Sequence, residues 1–357
     1  MEIEKVLFED YGKISELNKR NNLITLNKHD WINLWSNNPY FNHTNGWIIG
    51  WKLLDKGKIV GACLNIPFIF ELRDKEFLAA ICNNYVIDKN YRSFSLKLRH
   101  LFLNQKGIDL FITNSANTKS EKIMEAFKAK KISQQDYQER LLFIVNKPRF
   151  LFNYIKSLII NEKNLYKRNI FQPIQKEEVK KNNITFHLKE NFDNDFIQLT
   201  KELNDLGNLR SSKKLEWLKW KYNRYIEKKN FYVVKIYKDQ SFLGFIAMIS
   251  NIDKKYNLKK LSIVEIVISD KEHELLKVSL KYCIDVSKKF NFDVIDVIGY
   301  KKSKRVVIEK LGFIKKKSKN FNFLVKSTNS QLNFELFENK ENLDLSLADG
   351  DNIFYLD

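Results

Sequence analysis

The segment Val86-Ile87-Asp88-Lys89-Asn90-Tyr91-Arg92-Ser93-Phe94-Ser95-Leu96-Lys97-Leu98 decides how this chain is read. The apolar run before it, Phe77 to Ile87, reads as a strand. A short polar turn follows. From Ser95 to Gln105 apolar residues recur at helical spacing and stop before Gly107. A strand that enters a helix through a tight turn lets backbone N–H groups converge on an anion. Ser93 and Ser95 are small enough to leave those groups reachable, and Arg92 adds positive charge. The turn suits a pyrophosphate. Serine at a strand-to-helix turn is also a common N-cap, and at this level both readings stand.

Working outwards, Lys13 to Leu34 has helical periodicity and Trp47 to Leu54 alternates as a strand. Asp55-Lys56-Gly57-Lys58 is a hairpin turn into a partner strand, Ile59 to Phe70. Downstream come a buried strand, Ile108 to Thr113, a helix, Asn117 to Ala129, and a strand, Leu141 to Val145. Strands alternating with helices predict an α/β (α+β) fold, a sheet flanked by helices.

The second half repeats the plan. Helices are expected over Asp193 to Leu206 and Ser212 to Tyr225, then a hairpin over Phe231 to Ser250 and a strand from Leu261 to Ile268. A long helix, Glu272 to Phe290, is followed by a strand, Val294 to Gly299, a helix, Ser303 to Leu311, capped by Gly312, and a strand, Phe321 to Lys326. One topology used twice predicts tandem domains: 1-147 and 183-330, a linker at 148-182, and a docked C-terminal tail at 331-357. Within the linker, Phe150 to Ile160 forms an aromatic, apolar helical face beside Lys147, Arg149 and Lys156. It fits either a helix packed between domains or a basic amphipathic helix in peripheral contact with a membrane surface.

Composition narrows the classes. The chain has 357 residues, 44% hydrophobic and 13% aromatic, enough for two cores and unlike a disordered chain. Three Cys at 63, 82 and 283 are too few and scattered for a disulfide framework. No window is long and apolar enough for a transmembrane helix, and no secretory pattern opens the sequence, so a cytoplasmic location is expected. The five His show no metal-ligand spacing, and neither a P-loop nor Gly-x-Ser-x-Gly is present. No metal is expected. The net charge of +19 fits an anionic partner or a Lys- and Asn-rich coding bias.

The pivotal segment resembles the acyl-CoA binding motif of the GNAT acyltransferase superfamily. Val86, Tyr91 and Arg92 match, Ser93, Ser95 and Lys97 stand at the usual glycine positions, and Phe94 and Leu96 lie between them. Asn117 and the helix after it resemble the Asn-led helix beside the pantetheine arm. Leu311-Gly312-Phe313 and Leu243-Gly244-Phe245 are similar to recurrent family features. The resemblance implies two tandem GNAT-like domains, each a mixed, mostly antiparallel sheet flanked by helices. The first would bind acyl-CoA. The second has an acidic turn, Ser269-Asp270-Lys271-Glu272, that would repel a pyrophosphate.

The implied activity is an N-acyltransferase moving an acyl group, most simply acetyl, from acyl-CoA to an amine, such as an amino sugar or polysaccharide precursor. Asn83 would polarise the acyl carbonyl. Asp349 and Asp351, in the acidic turn Leu345-Ser346-Leu347-Ala348-Asp349-Gly350-Asp351, are candidates to take the amine's proton. Trp31 and Asn38 fit either an acceptor pocket or a packed, capped helix. Fem-type aminoacyl transferases also carry tandem GNAT-like halves, so an aminoacyl-tRNA-dependent transferase is an alternative, as is a non-catalytic binding module of this fold. Nucleic acid other than tRNA is not expected as a partner.

Overall fold

A computed structural model describes residues 1–43, 46–132, 139–159, 174–181, 183–198, 208–269, 272–300, 302–317, 322–339, 342–346 and 348–356. The chain opens with β1 (Glu2–Lys5), then α1 (Tyr11–Arg20), α2 (Lys28–Ser36) and α3 (Pro39–His43). The single helix expected over Lys13 to Leu34 is therefore two. Asn22, at φ 58°, turns the chain out of α1, and the Asn27 side chain accepts from the Asp30 N–H (2.8 Å) to start α2. Next come β2 (Gly50–Asp55), β3 (Lys58–Leu72), β4 (Lys75–Ile87), α4 (Ser95–Leu103), β5 (Leu110–Ala116), α5 (Thr118–Ala126), β6 (Lys130–Lys131), β7 (Glu139–Ile144) and α6 (Lys147–Ile159).

The second half runs β8 (Glu177–Lys181), β9 (Ile184–Lys189), β10 (Arg210–Ser211), α7 (Leu215–Glu227), β11 (Phe231–Lys238), β12 (Ser241–Asp253), β13 (Leu258–Val267), α8 (His273–Lys289), β14 (Val294–Ile298), α9 (Lys302–Lys310), β15 (Ile314–Lys317), β16 (Asn322–Ser327) and α10 (Phe334–Glu338). Most of the helix expected over Asp193 to Leu206, and the middle of the acidic turn at 270–271, lie outside the described residues.

Two eight-stranded mixed sheets result. One has the order β1-β2-β3-β4-β5-β16-β6, with β10 on the far end of β3; the other has the order β15-β7-β14-β13-β12-β11-β9-β8. The tandem α/β reading of the fold holds, but chain order and sheet membership differ at one place. Strand β7, from the first half, lies between β14 and β15 in the second sheet. Strand β16, from the second half, lies between β5 and β6 in the first. The halves thus exchange their last long strands, and neither sheet is completed by its own stretch of sequence.

A shared core sits between the sheets. It holds Ile14 and Leu17 from α1, Trp31 and Trp35 from α2, Trp217 and Trp220 from α7, Phe68 from β3 and Phe245 from β12. The outer face of the first sheet packs under α4 through Leu98 and Phe102, and that of the second under α8 and α9. Each core residue is removed from water by both a sheet and a helix layer, the arrangement that buries the most apolar area.

Candidate active site

The first sheet contains a built-in opening. Strands β4 and β5 run parallel and pair only at Ala79–Leu110, Ala80–Phe111 and Ile81–Ile112. Beyond that point they part. A register shift opposite β3 and a left-handed Asn84 (φ 47°) bend β4 away from β5. Backbone groups facing such a gap have no strand partner and are available to a bound molecule.

On one side of the sheet the rim of the gap is the pivotal turn. Residues Lys89–Phe94 form a short 3-10 helix that runs into α4, and no side chain caps that helix start. Asp88 anchors the turn, accepting from Arg20 (2.8 Å) and Asn21 (2.7 Å). Val86 is buried, whereas Arg92, Ser93, Leu96 and Lys97 are exposed and Phe94 and Ser95 half-exposed. The Ser95 carbonyl accepts from Tyr85 (2.9 Å), and the Ser95 N–H donates to the Arg92 carbonyl, so what the turn offers outward is its exposed side chains and positive charge. The Lys97 ammonium lies over the Phe94 ring, 5.4 Å from its centre, so it adds charge at the turn without blocking its backbone. Asn117 caps α5, accepting from the N–H groups of Lys119 and Ser120.

Beneath this rim lies a residue that sequence reading passed over. Arg99 is fully buried, stacked on Tyr85 (3.9 Å) and donating to Cys82 Sγ (3.1 Å) and Ser120 Oγ (3.2 Å). These partners come from β4, the strand before the gap, and α5, the helix after it. A thiol hydrogen bond from Cys63 pulls the Cys82 thiol down to about 6, against its burial and with help from the Arg99 charge. Arg99 thus spends its donors on Cys82 and Ser120 and its plane on the Tyr85 ring. The signal was Arg99 itself, spaced three and four residues from the buried Phe102 and Leu103.

On the opposite side of the sheet the C-terminal tail closes over the gap. Its last turn, Asp351–Tyr355, packs against β4 and β5. Tyr355 donates to Asn83 Oδ1 (2.8 Å). A Cβ on Gly350 would lie 1.8 Å from Asn114 Nδ2, so only glycine lets the tail approach. Three buried side chains keep polar atoms without partners here: Asn83 Nδ2, both amide atoms of Asn114, and Asp351 Oδ1. Buried polar groups are nearly always paired, so such a cluster marks a place where something else binds. Burial, with the nearby Cys82 charge, raises the Asp351 carboxyl to about 8 despite a hydrogen bond from Ser115.

The other sequence candidates lie elsewhere. Asp349 is fully buried in an ion cluster: it accepts from Ser211, Ser346 and Lys213 (3.1 Å), while Glu265 takes Lys213 (2.7 Å) and Lys221 (3.1 Å). With both oxygens engaged it is a structural anion, and Asp351 alone of the acidic pair reaches the gap. Trp31 is core, 4.9 Å from Trp35 and 5.6 Å from Tyr11. Asn38 is completely buried, donating to the Pro67 carbonyl (2.9 Å) and accepting from the N–H of Tyr40 to start α3. Both residues take the packing role. Among the described residues His29, Asp30 and Glu227 bring ligand atoms within 4.8 Å of one another, but Asp30 already pairs with Arg224 (2.7 Å).

The second sheet has the same geometry in a filled state. Strands β13 and β14 pair in parallel from Lys260–Val294 to Ile263–Val297 and then part. There the tail enters: Ser346 bridges Gly299, and Tyr300 N–H donates to the Leu345 carbonyl (3.2 Å). Lys304 donates to the Ile266 carbonyl (3.1 Å) and to Asp344. The chain's own backbone and an ion cluster occupy this second gap.

Neither a protein-family model nor a curated protein sequence matches the chain. Solved structures do. A GCN5-related N-acetyltransferase from Anabaena variabilis ATCC 29413 superposes with a TM-score of 0.56 at 10% identity, covering 92% of this chain and 73% of that one. Saccharomyces cerevisiae N-myristoyltransferase with bound myristoyl-CoA gives 0.54 at 14%, covering 96% and 83%. A probable N-acyltransferase from Enterococcus faecalis V583 gives 0.54 at 11%, covering 91% and 72%. At these identities the likeness is one of fold, and it spans both halves: the chain has the GNAT fold, in tandem.

Proposed function

We propose that this protein is an N-acyltransferase that moves an acyl group from acyl-CoA to an amine, using the gap between β4 and β5. The observation that carries the reading is the cluster of unpartnered Asn83, Asn114 and Asp351 atoms at that gap, opposite an uncapped, positively charged turn. That the structural neighbours include N-acetyltransferases and a transferase holding myristoyl-CoA supports it.

The pyrophosphate lies at the exposed turn of residues 92 to 97, where the Arg92 and Lys97 charges meet it. The pantetheine arm passes through the gap beside Asn117 and α5. The thioester carbonyl then meets the Asn83 and Asn114 amides, whose N–H groups hold the oxyanion as the tetrahedral intermediate forms. Asp351 takes the proton of the attacking ammonium; a carboxyl held near 8 is well matched to that task. The C–N bond forms and the C–S bond breaks, and the second proton of the attacking nitrogen reaches the departing thiolate through the Tyr355 hydroxyl, which gives up one proton and takes one back, so burial keeps it protonated overall. Acetyl is the simplest acyl group, and an amino sugar is a fitting acceptor.

Calorimetric titration with acetyl-CoA and with free coenzyme A is the direct test. Saturable binding of about one equivalent per chain, followed by thiol release on adding an amino sugar, is the expected result, one site being open and one filled. No binding of either would overturn the reading, and aminoacyl-tRNA would be titrated next.

A further inference from the structure

Helix α6 is inside out. Leu151 (58% exposed), Phe152 (64%), Ile155 (47%) and Leu158 (70%) face solvent, with Tyr154 (42%) beside them. At 100° per residue, positions 151, 155 and 158 form one stripe and 152 widens it. The polar residue Asn153 is the buried one, donating to the Asn257 carbonyl (3.2 Å). Phe150 packs on Leu142, Leu258 and Val294 of the second sheet, and Tyr154 stacks on Tyr256 at 5.9 Å. The helix is thus docked through Phe150, Asn153 and Tyr154, and the apolar stripe from Leu151 to Leu158 is left outward. Elsewhere among the described residues the exposed large apolar side chains are scattered, as on any protein surface.

The surroundings are basic. Lys147 and Lys156 belong to the helix, Lys255 and Lys316 lie over the Tyr256 ring at 5.1 and 5.3 Å, and Lys254 is adjacent in the chain. Of the carboxylates on this side, Asp293 is paired with Arg149 (3.3 Å), and Asp253 accepts from the backbone of Lys255 and Tyr256. Ile314 (54% exposed), opposite Leu142 on the edge strand, extends the apolar patch.

We propose that α6 is a membrane-docking helix that lays Leu151, Phe152, Ile155 and Leu158 into an anionic lipid surface, with the lysines around it meeting the headgroups. An apolar stripe rimmed by lysine is complementary to such a surface: the side chains reach the acyl boundary and the ammonium groups stay at the phosphate level. The contact proposed is interfacial: no helix among the described residues is long and apolar enough to cross a bilayer. This inference stands on α6 alone and does not depend on the acyl-transfer reading.

The test is co-sedimentation of the full chain with vesicles of phosphatidylglycerol and phosphatidylcholine in equal amounts, and with phosphatidylcholine alone. The expected result is binding to the anionic vesicles that weakens as salt is raised. A Leu151→Glu/Leu158→Glu variant should bind at least tenfold more weakly while keeping the native melting temperature, because both side chains are already in water. As a local readout, a Trp placed by Phe152→Trp should be quenched by brominated lipid beyond the quenching of the native tryptophans. The proposal is overturned if the protein stays in the supernatant with anionic vesicles, or if the glutamate variant sediments as well as the native chain. It is also overturned if the chain is a dimer that this variant dissociates, since a second copy then covers the face.

Discussion

Asp351, the proposed base, can be tested for catalysis and for stability separately. Its carboxyl is raised to about 8 in the folded protein and is ordinary in the unfolded chain, so from about pH 4 to 8 the unfolded state gives up a proton that the folded state retains. Folding stability contributed by this group is therefore full below about pH 4 and is lost as pH rises towards 8. Asp351→Asn should raise the melting temperature at pH 8 and leave it unchanged at pH 3. The same variant should lower the acyl-transfer rate about 10²- to 10⁴-fold, and the native rate should rise with pH up to about 8. A pH series of melting curves beside a pH–rate profile checks both signs. Asp349 behaves oppositely. Burial would raise it, but Lys213, Lys221 and Ser211 hold it at about 2, so it contributes about 2 kcal/mol that is present above pH 4 and lost as pH falls through 2. Gly350→Ala should cost about 1–3 kcal/mol in denaturant unfolding, because Asn114 must move.

Among the elements, the turn into α4 and the clamp on the tail matter most. Ser95→Glu places a carboxylate where a pyrophosphate is proposed and should weaken acyl-CoA binding about tenfold by calorimetry, with the fold intact. Unchanged affinity would remove the turn from the site. The tail is held by α7: Arg224 donates to the Phe354 carbonyl, Tyr225 donates to the Ile353 and Leu356 carbonyls, and Trp220 packs on the Phe354 ring at 5.2 Å. The Trp- and Tyr-rich face of α7, legible in the sequence as a helix with an aromatic stripe, therefore positions Asp351 and Tyr355 at the gap in the other sheet. Nothing in the local pattern of either segment announces that pairing. Its residues stand more than 120 positions apart, as with Arg224 and Phe354.

For the whole molecule, the exchanged strands argue against independent halves. A fragment ending at residue 147 would carry β7 without its partners β14 and β15 and would leave β5 without β16. That fragment is expected to aggregate or stay unfolded, while the full chain melts in one cooperative transition; scanning calorimetry of both distinguishes this from two self-sufficient domains.

What the amino-acid order determined by itself was local. Apolar periodicity of two and of about 3.6 placed the strands and helices, Gly57 and Gly312 marked a turn and a helix end, and the small residues after Val86 marked an anion-ready turn. The tandem α/β plan followed because such signals lie within some ten residues of one another and repeat in the same order, and the resemblance of residues 86 to 98 to the GNAT acyl-CoA motif gave that plan its family. Tertiary structure decided the rest. It sent Asp349 into an ion cluster and Asp351, two residues on, to the gap, because the chain bends at 349–350 and enters a 3-10 turn at Asp351, so the two side chains meet different partners. It likewise buried Arg99, exposed the apolar stripe of α6 and filled the second gap with the tail. Each of these depends on contacts between segments far apart in the chain, whose energies no local spacing records.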